Sequence, residues 1–365
     1  MIAYIAKRVF LLVPTLLGIL ALNFFLVQLA PGGPVEQVIS RMEGRGDRAL
    51  ERITGAEGDA ISMVETSLDS TSAYRGRDGI SPELVAEIEK RFGFDRPLHE
   101  RFFSMLKSYL LLDFGESFFK DRSILGMIGE KMPVSLSLGL WSTLVIYLVS
   151  IPLGIRKAVR HGSPFDVWTS FVIVICNSIP VFLFAVILIV IFAGGSYLEW
   201  FPLRGLVSDH FHELSFTGKV LDYFHHLALP ILAMTIGGIA GFAMLTKNCF
   251  LDEIRHQYVT TARAKGASEG RVLFGHVFRN AMLIVIAGLP GTFLGIFFTG
   301  SMMIEVIFSL DGLGLMGFEA TMNRDYPVMF AGLYISTLMG LFVKILSDIT
   351  YVLVDPRIHF DAGGV

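Results

Sequence analysis

Six long apolar runs divide the chain, at residues 9–29, 134–155, 167–193, 227–246, 281–304 and 328–352. Each approaches or exceeds the roughly 20 residues that carry a helix across about 30 Å of hydrocarbon. The pattern predicts an all-α membrane protein with about six transmembrane helices. The first run is longer than a signal-peptide core, and Pro31 follows Ala30 where cleavage would fall, so a retained first helix is expected. Pro180 and Pro290 are expected to kink their helices. Gly237 and Gly241, and again Gly291 and Gly295, stand four apart, a spacing that lets helices pack closely in lipid.

Between the first two runs lies a polar segment of about a hundred residues, compatible with a small domain. Its first half, residues 41–79, is rich in charge, Ser, Thr and Gly and predicts irregular structure. Its second half carries helix signals: Ser81 as cap, Pro82 in the first turn, Glu83 beside it and Gly93 as terminator, with Leu84, Val85, Ile88 and Phe92 as the apolar stripe. A further helix begins at Pro97, with Phe102, Phe103, Leu106, Tyr109 and Leu110 as its predicted buried face. The resulting division is a first helix (1–30), an extramembrane domain (31–132), a five-helix core (133–356) containing a long polar loop (247–280), and a tail (357–365).

Composition strengthens this picture. Of 365 residues 53% are hydrophobic, which soluble domains rarely combine with so many uninterrupted apolar runs. The net charge of −3 says little, but its distribution says more. Arg156, Lys157 and Arg160 make one short loop basic; Lys247, Arg255, Arg263, Lys265, Arg271 and Arg279 do the same for another. Lys7 and Arg8 precede the first run. The positive-inside rule places these regions and both termini in the cytoplasm, and the acidic stretch 194–226 and the 31–132 domain outside. Cys176 in a run and Cys249 in the polar loop occupy different environments, so no disulfide is expected.

Catalytic signatures are missing from the sequence: it has no P-loop, no His-Glu-x-x-His and no Gly-x-Ser-x-Gly. No catalytic, cofactor-binding or metal-binding residue is assigned. The histidine groupings His210/His212 and His225/His226 fit an outer polar loop better than a metal site. Among polar groups in the runs, Asn23 and Asn177 suit bonds between helices, Glu305 is expected at a water-accessible helix end, and Lys344 and Asp348 are spaced to pair on one face.

Residues 258–267, Tyr-Val-Thr-Thr-Ala-Arg-Ala-Lys-Gly-Ala, lie in the polar loop and predict a short helix, a sharp turn and a second helix. Ala262 and Ala264 keep the surface shallow for another surface to approach, Arg263 and Lys265 add charge, Gly266 supplies the left-handed residue that ends a helix, and Ser268 caps the next near Glu269. On the residues alone, an ordinary basic cytoplasmic loop is the favoured reading.

Here the wording of the chain matters. Thr-Ala-Arg-Ala-Lys-Gly followed by His-Val-Phe-Arg-Asn-Ala-Met resembles the coupling loop of oligopeptide and dipeptide ABC-transporter permeases, inner-membrane subunits with the type I importer fold. Further phrases resemble the same family in the same order: Gln28 to Pro34, Phe92 to Leu98, Asp113 to Ser117, Phe308 to Leu315, Asn323 to Pro327 and Asp355 to Ile358. The longer 41–79 region is closest to the oligopeptide group that includes the Yej-type importer of microcin C. Thr260, Thr261 and Ala262 stand where general importers carry Glu-Ala-Ala, and Gly266 matches the glycine; the later Ile-x-Leu-Pro part is absent.

The resemblance implies a peptide-import permease subunit of the bacterial inner membrane. Thr260, Thr261, Ala262, Arg263, Ala264, Lys265, Gly266 and Ala267 would couple it to ATPase subunits. A second, different permease subunit, two ATPase domains or subunits, a periplasmic substrate-binding protein, a peptide and membrane lipid are the implied partners; nucleic acid is not. With no P-loop here, ATP hydrolysis would occur on another chain. An autonomous ion-driven transporter and an intramembrane enzyme remain the alternatives, though neither inverted repeats nor convergent catalytic side chains stand out.

Overall fold

A computed structural model of the chain describes residues 2–29, 96–117, 119–120, 122–194, 197–295 and 302–354. The irregular 41–79 segment, the helix expected after Ser81 and the tail phrase from Asp355 lie outside the described residues. Among the described residues every regular element is helical, with one isolated bridge between Glu116 and Ser123. In chain order the α-helices are α1 (Ile2–Leu29), α2 (Leu98–Leu110), α3 (Ile124–Val159), α4 (Pro164–Ser178), α5 (Val181–Phe192), α6 (Phe216–Ile254), α7 (Gln257–Ala264), α8 (Glu269–Val272), α9 (Phe278–Ala287), α10 (Leu289–Gly295), α11 (Met302–Ile307), α12 (Leu313–Met322) and α13 (Tyr326–Val354).

Among the described residues four helical stretches are long and apolar enough to cross a membrane: Ile124–Val159, Phe216–Ile254, Glu269–Thr292 and Tyr326–Thr350. The bent pair α4 and α5 brings the number to five, and Val13–Phe25 of α1 is a shorter apolar helix. The expectations for two runs are corrected. Residues 167–193 do not form one kinked helix: α4 and α5 meet at 93°, because Ile179 is driven into extended backbone before Pro180. For the run 281–304 the correction is at its start: the crossing helix begins earlier, at Glu269, while residues 296–301 lie outside the described residues.

The chain divides into two compact units. One comprises Val13–Leu125 and Asn323–Tyr334. Its described centre is aromatic, with Tyr109, Phe114 and Tyr334 in edge-to-face contact at 5.0–5.8 Å. Phe24 meets Phe102 in the same way, and Ser117 donates to Asp325 at 2.5 Å. The predicted buried face of α2 is only partly right: Tyr109 is buried, whereas Phe103 and Leu110 are exposed.

The other unit, Met1–Leu12, Gly126–Met322 and Ile335–Val365, holds two buried clusters. One packs Leu138 of α3 against α5, α6 and α11; the second packs Ile146 and Tyr147 of α3 against Phe250, Val259, Val272 and Val285. Close approach of α3 and α6 depends on glycines that the spacing rule does not select. A Cβ at Gly154 would stand 2.6 Å from Thr246 Cβ and 2.7 Å from the Ala243 carbonyl, and one at Gly238 would run into Ile146. Among the described residues, a Cβ at Gly241, Gly291 or Gly295 would meet nothing within 4 Å.

Glu305 departs furthest from expectation. It is fully buried, not at a wet helix end: its carboxylate accepts from Ser135 Oγ (3.0 Å) and from the Leu315 amide (2.7 Å), and lies against Gly312 and Gly314. A carboxylate on the free amides at the start of α12 is favourable both as a hydrogen bond and against the helix dipole. Lys344 is exposed and Asp348 is half-buried.

Candidate functional site

The polar loop predicted over 247–280 is mostly helix. With 39 residues, α6 runs for about 58 Å, well beyond the hydrocarbon thickness, and carries Lys247 to Ile254 out as its last two turns. The chain then turns at Arg255 and His256 and enters α7, residues Gln257 to Ala264.

Two faces distinguish α7. Val259 is wholly buried, and Tyr258 and Ala262 are partly buried against the cluster shared by α3, α6 and α9. Their spacing, i and i+3 or i+4, puts them on one side. Thr260, Thr261, Arg263 and Ala264 are exposed on the other, with Lys265 and Gly266 beyond the end. All eight residues singled out in the sequence therefore sit together, but not in one role. Ala262 and Ala267 are half-buried and serve the chain's own packing, so of the two alanines expected to admit an approaching surface only Ala264 is available.

The end of α7 is a Schellman turn. Gly266 has φ +82°, its amide donates to the Arg263 carbonyl (2.9 Å), and the Ala267 amide donates to that of Ala262 (3.2 Å). Ser268 occupies the cap position of α8, as expected, but its hydroxyl makes no capping bond. Arg263 instead spans the bend, giving Glu269 a two-bonded salt bridge at 2.9 and 3.0 Å that raises its already high pKa. Being exposed, this bridge contributes about 1 kcal/mol at most.

At its start α7 is tied to both neighbouring helices. Tyr258 donates to Glu253 of α6 at 2.7 Å, and Asn280 of α9 donates to the same carboxylate oxygen at 3.0 Å. Burial, reinforced by the bond to Glu253, pushes the Tyr258 phenol up to about 12, so it remains a donor at any physiological pH. This clamp was not read from the sequence, because its members are separated by a turn and a helix pair. A π-helical turn, Leu273–Val277, follows α8 and leads into α9. No group of three or more His, Cys, Asp or Glu side chains suited to a metal occurs among the described residues. His225 and His226 instead bond the carbonyls of Trp200 (2.7 Å) and Asp222 (2.9 Å).

A stiff, short, two-faced helix strapped to the ends of two membrane-crossing helices can transmit a push but has no groups arranged for chemistry. Residues 150–360 match the family described as binding-protein-dependent transport system inner membrane component. The chain belongs to that family. It is thus a multi-pass inner-membrane transport component and not an enzyme. It is 58% identical to the inner membrane ABC transporter permease protein YejB of Escherichia coli O157:H7, over 98% of this chain and 99% of that protein. It is 54% identical to the peptidoglycan transport system permease protein YejB of Agrobacterium fabrum, over the whole of both chains, and 31% identical to the oligopeptide transport system permease protein AppB of Bacillus subtilis, over 99% and 100%. The fold is similar to a chain of the inward-facing MetNI methionine ABC transporter, with a TM-score of 0.50, 17% identity and coverage of 63% of this chain and 97% of that one.

Proposed function

We propose that this family member forms half of the pathway of an ATP-driven peptide importer and that α7 is where the motor acts on it. One observation carries the coupling role. Val259 fixes α7 in the core of the bundle while Thr260, Thr261, Arg263, Ala264 and Lys265 stand in solvent. A force on the exposed face therefore reaches α3, α6 and α9 together through the buried one. The basic character of the 247–280 segment supports a cytoplasmic α7, where ATPase subunits reside, and together with Lys7 and Arg8 it supports cytoplasmic termini.

The proposed partners are those an importer of this family requires: two ATPase domains or subunits gripping α7, a second permease subunit supplying the other half of the pathway, and a periplasmic binding protein delivering cargo. ATP can shift the bundle between inward-open and outward-open states only if α7 fits the two ATPase geometries unequally. The names of the relatives support a peptide cargo, and the Agrobacterium system makes a peptidoglycan-derived peptide the first to try, beside microcin C. Nothing in the family match favours the ion-gradient reading. The test is uptake of labelled peptide into proteoliposomes carrying the full complex. Uptake that needs ATP and the binding protein, and stops when α7 is disrupted, supports the proposal; uptake by this chain alone along an ion gradient overturns it.

A further inference from the structure

Beside the bundle core, α3, α4 and α6 enclose an open cleft of about 380 Å³, near the lower end of the range for small-ligand sites. Leu153, Val172, Ile236, Ile239 and Ala240 line it, with Trp168 at its edge, and Thr169 supplies the hydroxyl in its wall. The same helix faces turn charged one to two turns further on. On α3, Leu153 is followed at i+3 by Arg156 and at i+7, just past the helix end, by Arg160. On α6, the line from Ile236 and Ala240 continues to Lys247. On α4, Trp168 and Thr169 stand one turn beyond Phe165, whose ring carries the Arg156 guanidinium at 5.1 Å.

This charged end is already knit to the cleft. Lys157 donates to Thr169 Oγ1 at 2.8 Å and to Ser170 Oγ at 2.7 Å, and pairs with Asp166 at 3.1 Å. Lys247 donates to both oxygens of the same carboxylate at 2.8 Å. Of the four cationic side chains at this end, Arg156, Lys157, Arg160 and Lys247, the two lysines pair with the Asp166 carboxylate, and the exposed His161 ring also contacts it at 3.2 Å. Asp166 is saturated by the two lysines, and the exposed Arg156 and Arg160 keep their positive charge for something outside the chain.

We propose that this cleft is a binding site for an anionic phospholipid, with an acyl chain between α3, α4 and α6 and the phosphate on Arg156 and Arg160. An apolar slot in a membrane-crossing bundle that ends in excess positive charge matches the two ends of one such molecule. A helix of a partner protein would fill the slot but would also have to bring an acidic group to its end.

Trp168 reports on the slot. The full chain is placed in phosphatidylcholine nanodiscs containing increasing mole fractions of brominated-tail phosphatidylglycerol or, separately, brominated-tail phosphatidylcholine. The Trp168 signal is taken as the difference from Trp168→Phe. Half-maximal quenching is expected at a mole fraction at least about fivefold lower for the glycerol lipid, the discrimination that a single interfacial arginine supplies. Arg156→Gln with Arg160→Gln brings the two curves together, whereas Arg156→Lys with Arg160→Lys keeps them apart, which separates lost charge from lost fold. Identical curves for the unsubstituted chain overturn the proposal, as does a Trp168 that neither lipid quenches, the result expected of a slot covered by protein.

Discussion

Gly266 ends α7 at φ +82°, and a Cβ added there meets nothing within 4 Å. Substitution at this position therefore isolates backbone conformation from packing. Gly266→Ala must place an L-residue in the left-handed region, at a cost of about 1–2 kcal/mol. Gly266→Asn costs less, since asparagine visits that region more readily. Gly266→Pro forbids the conformation altogether and removes the amide that donates to Arg263 at 2.9 Å, a loss of about 3 kcal/mol or more. If the turn sets the direction in which α7 presents Arg263 and Lys265, ATP-dependent peptide uptake by the reconstituted complex should fall in the order Gly, Asn, Ala, Pro. The alanine variant should retain measurable transport, and the proline variant none, with both still inserted in the membrane. Hydrogen exchange at the Ala267 amide, which the same turn holds, should accelerate by about five- to thirty-fold in the alanine variant, since each 1.4 kcal/mol is a factor of ten. Unchanged uptake by Gly266→Pro would remove the turn from the mechanism, and equal losses for Asn and Pro would contradict the conformational reasoning.

Three further outcomes follow from the packing. Tyr258→Phe breaks the bond to Glu253 but leaves Asn280 on that carboxylate; about 1 kcal/mol of clamp is lost, and peptide moved per ATP hydrolysed should fall more than ATP hydrolysis itself, measured side by side in proteoliposomes. Gly154→Ala forces α3 and α6 apart at Thr246 and should destabilise the chain by about 1–3 kcal/mol, whereas Gly241→Ala, with open space around it, should be neutral or slightly stabilising; thermal unfolding in detergent distinguishes them. Glu305→Ala leaves Ser135 and the Leu315 amide without their acceptor and should cost about 1–3 kcal/mol per orphaned group, read as a lowered melting temperature and faster exchange at the start of α12.

What the sequence disclosed, and what it withheld, divides along the range of the interactions involved. The apolar runs are one-dimensional signals, and the long helices α3, α6 and α13 coincide with three of them. Gly266 is local too: a glycine after a short helix has few other uses, and the left-handed turn is found there. A kink at Pro180 was legible, but not the 93° between α4 and α5, because hydropathy does not register direction and the backbone restriction before proline gives no angle. Glu305 escaped because burial of a carboxylate depends on which amides lie ahead of it in space, here that of Leu315, ten residues on. The glycines at which helices meet also escaped: contact is made at Gly154 and Gly238, on facing helices, and no spacing within one helix marks them. Within α7, residue type could not separate Ala262, turned into the core, from Ala264, turned out of it; the buried Val259 three residues before Ala262 was the available cue.

The central claim is that the exposed face of α7 is gripped from inside the cell by a nucleotide-driven subunit. A photoactivatable cross-linking residue placed at Thr261, which is exposed and bonds only its own helix, tests it in the assembled complex in native membranes. The account predicts a cross-linked product with the ATPase subunit whose yield changes when ATP is bound. A product with the periplasmic binding protein, or cross-linking to lipid alone, would contradict it.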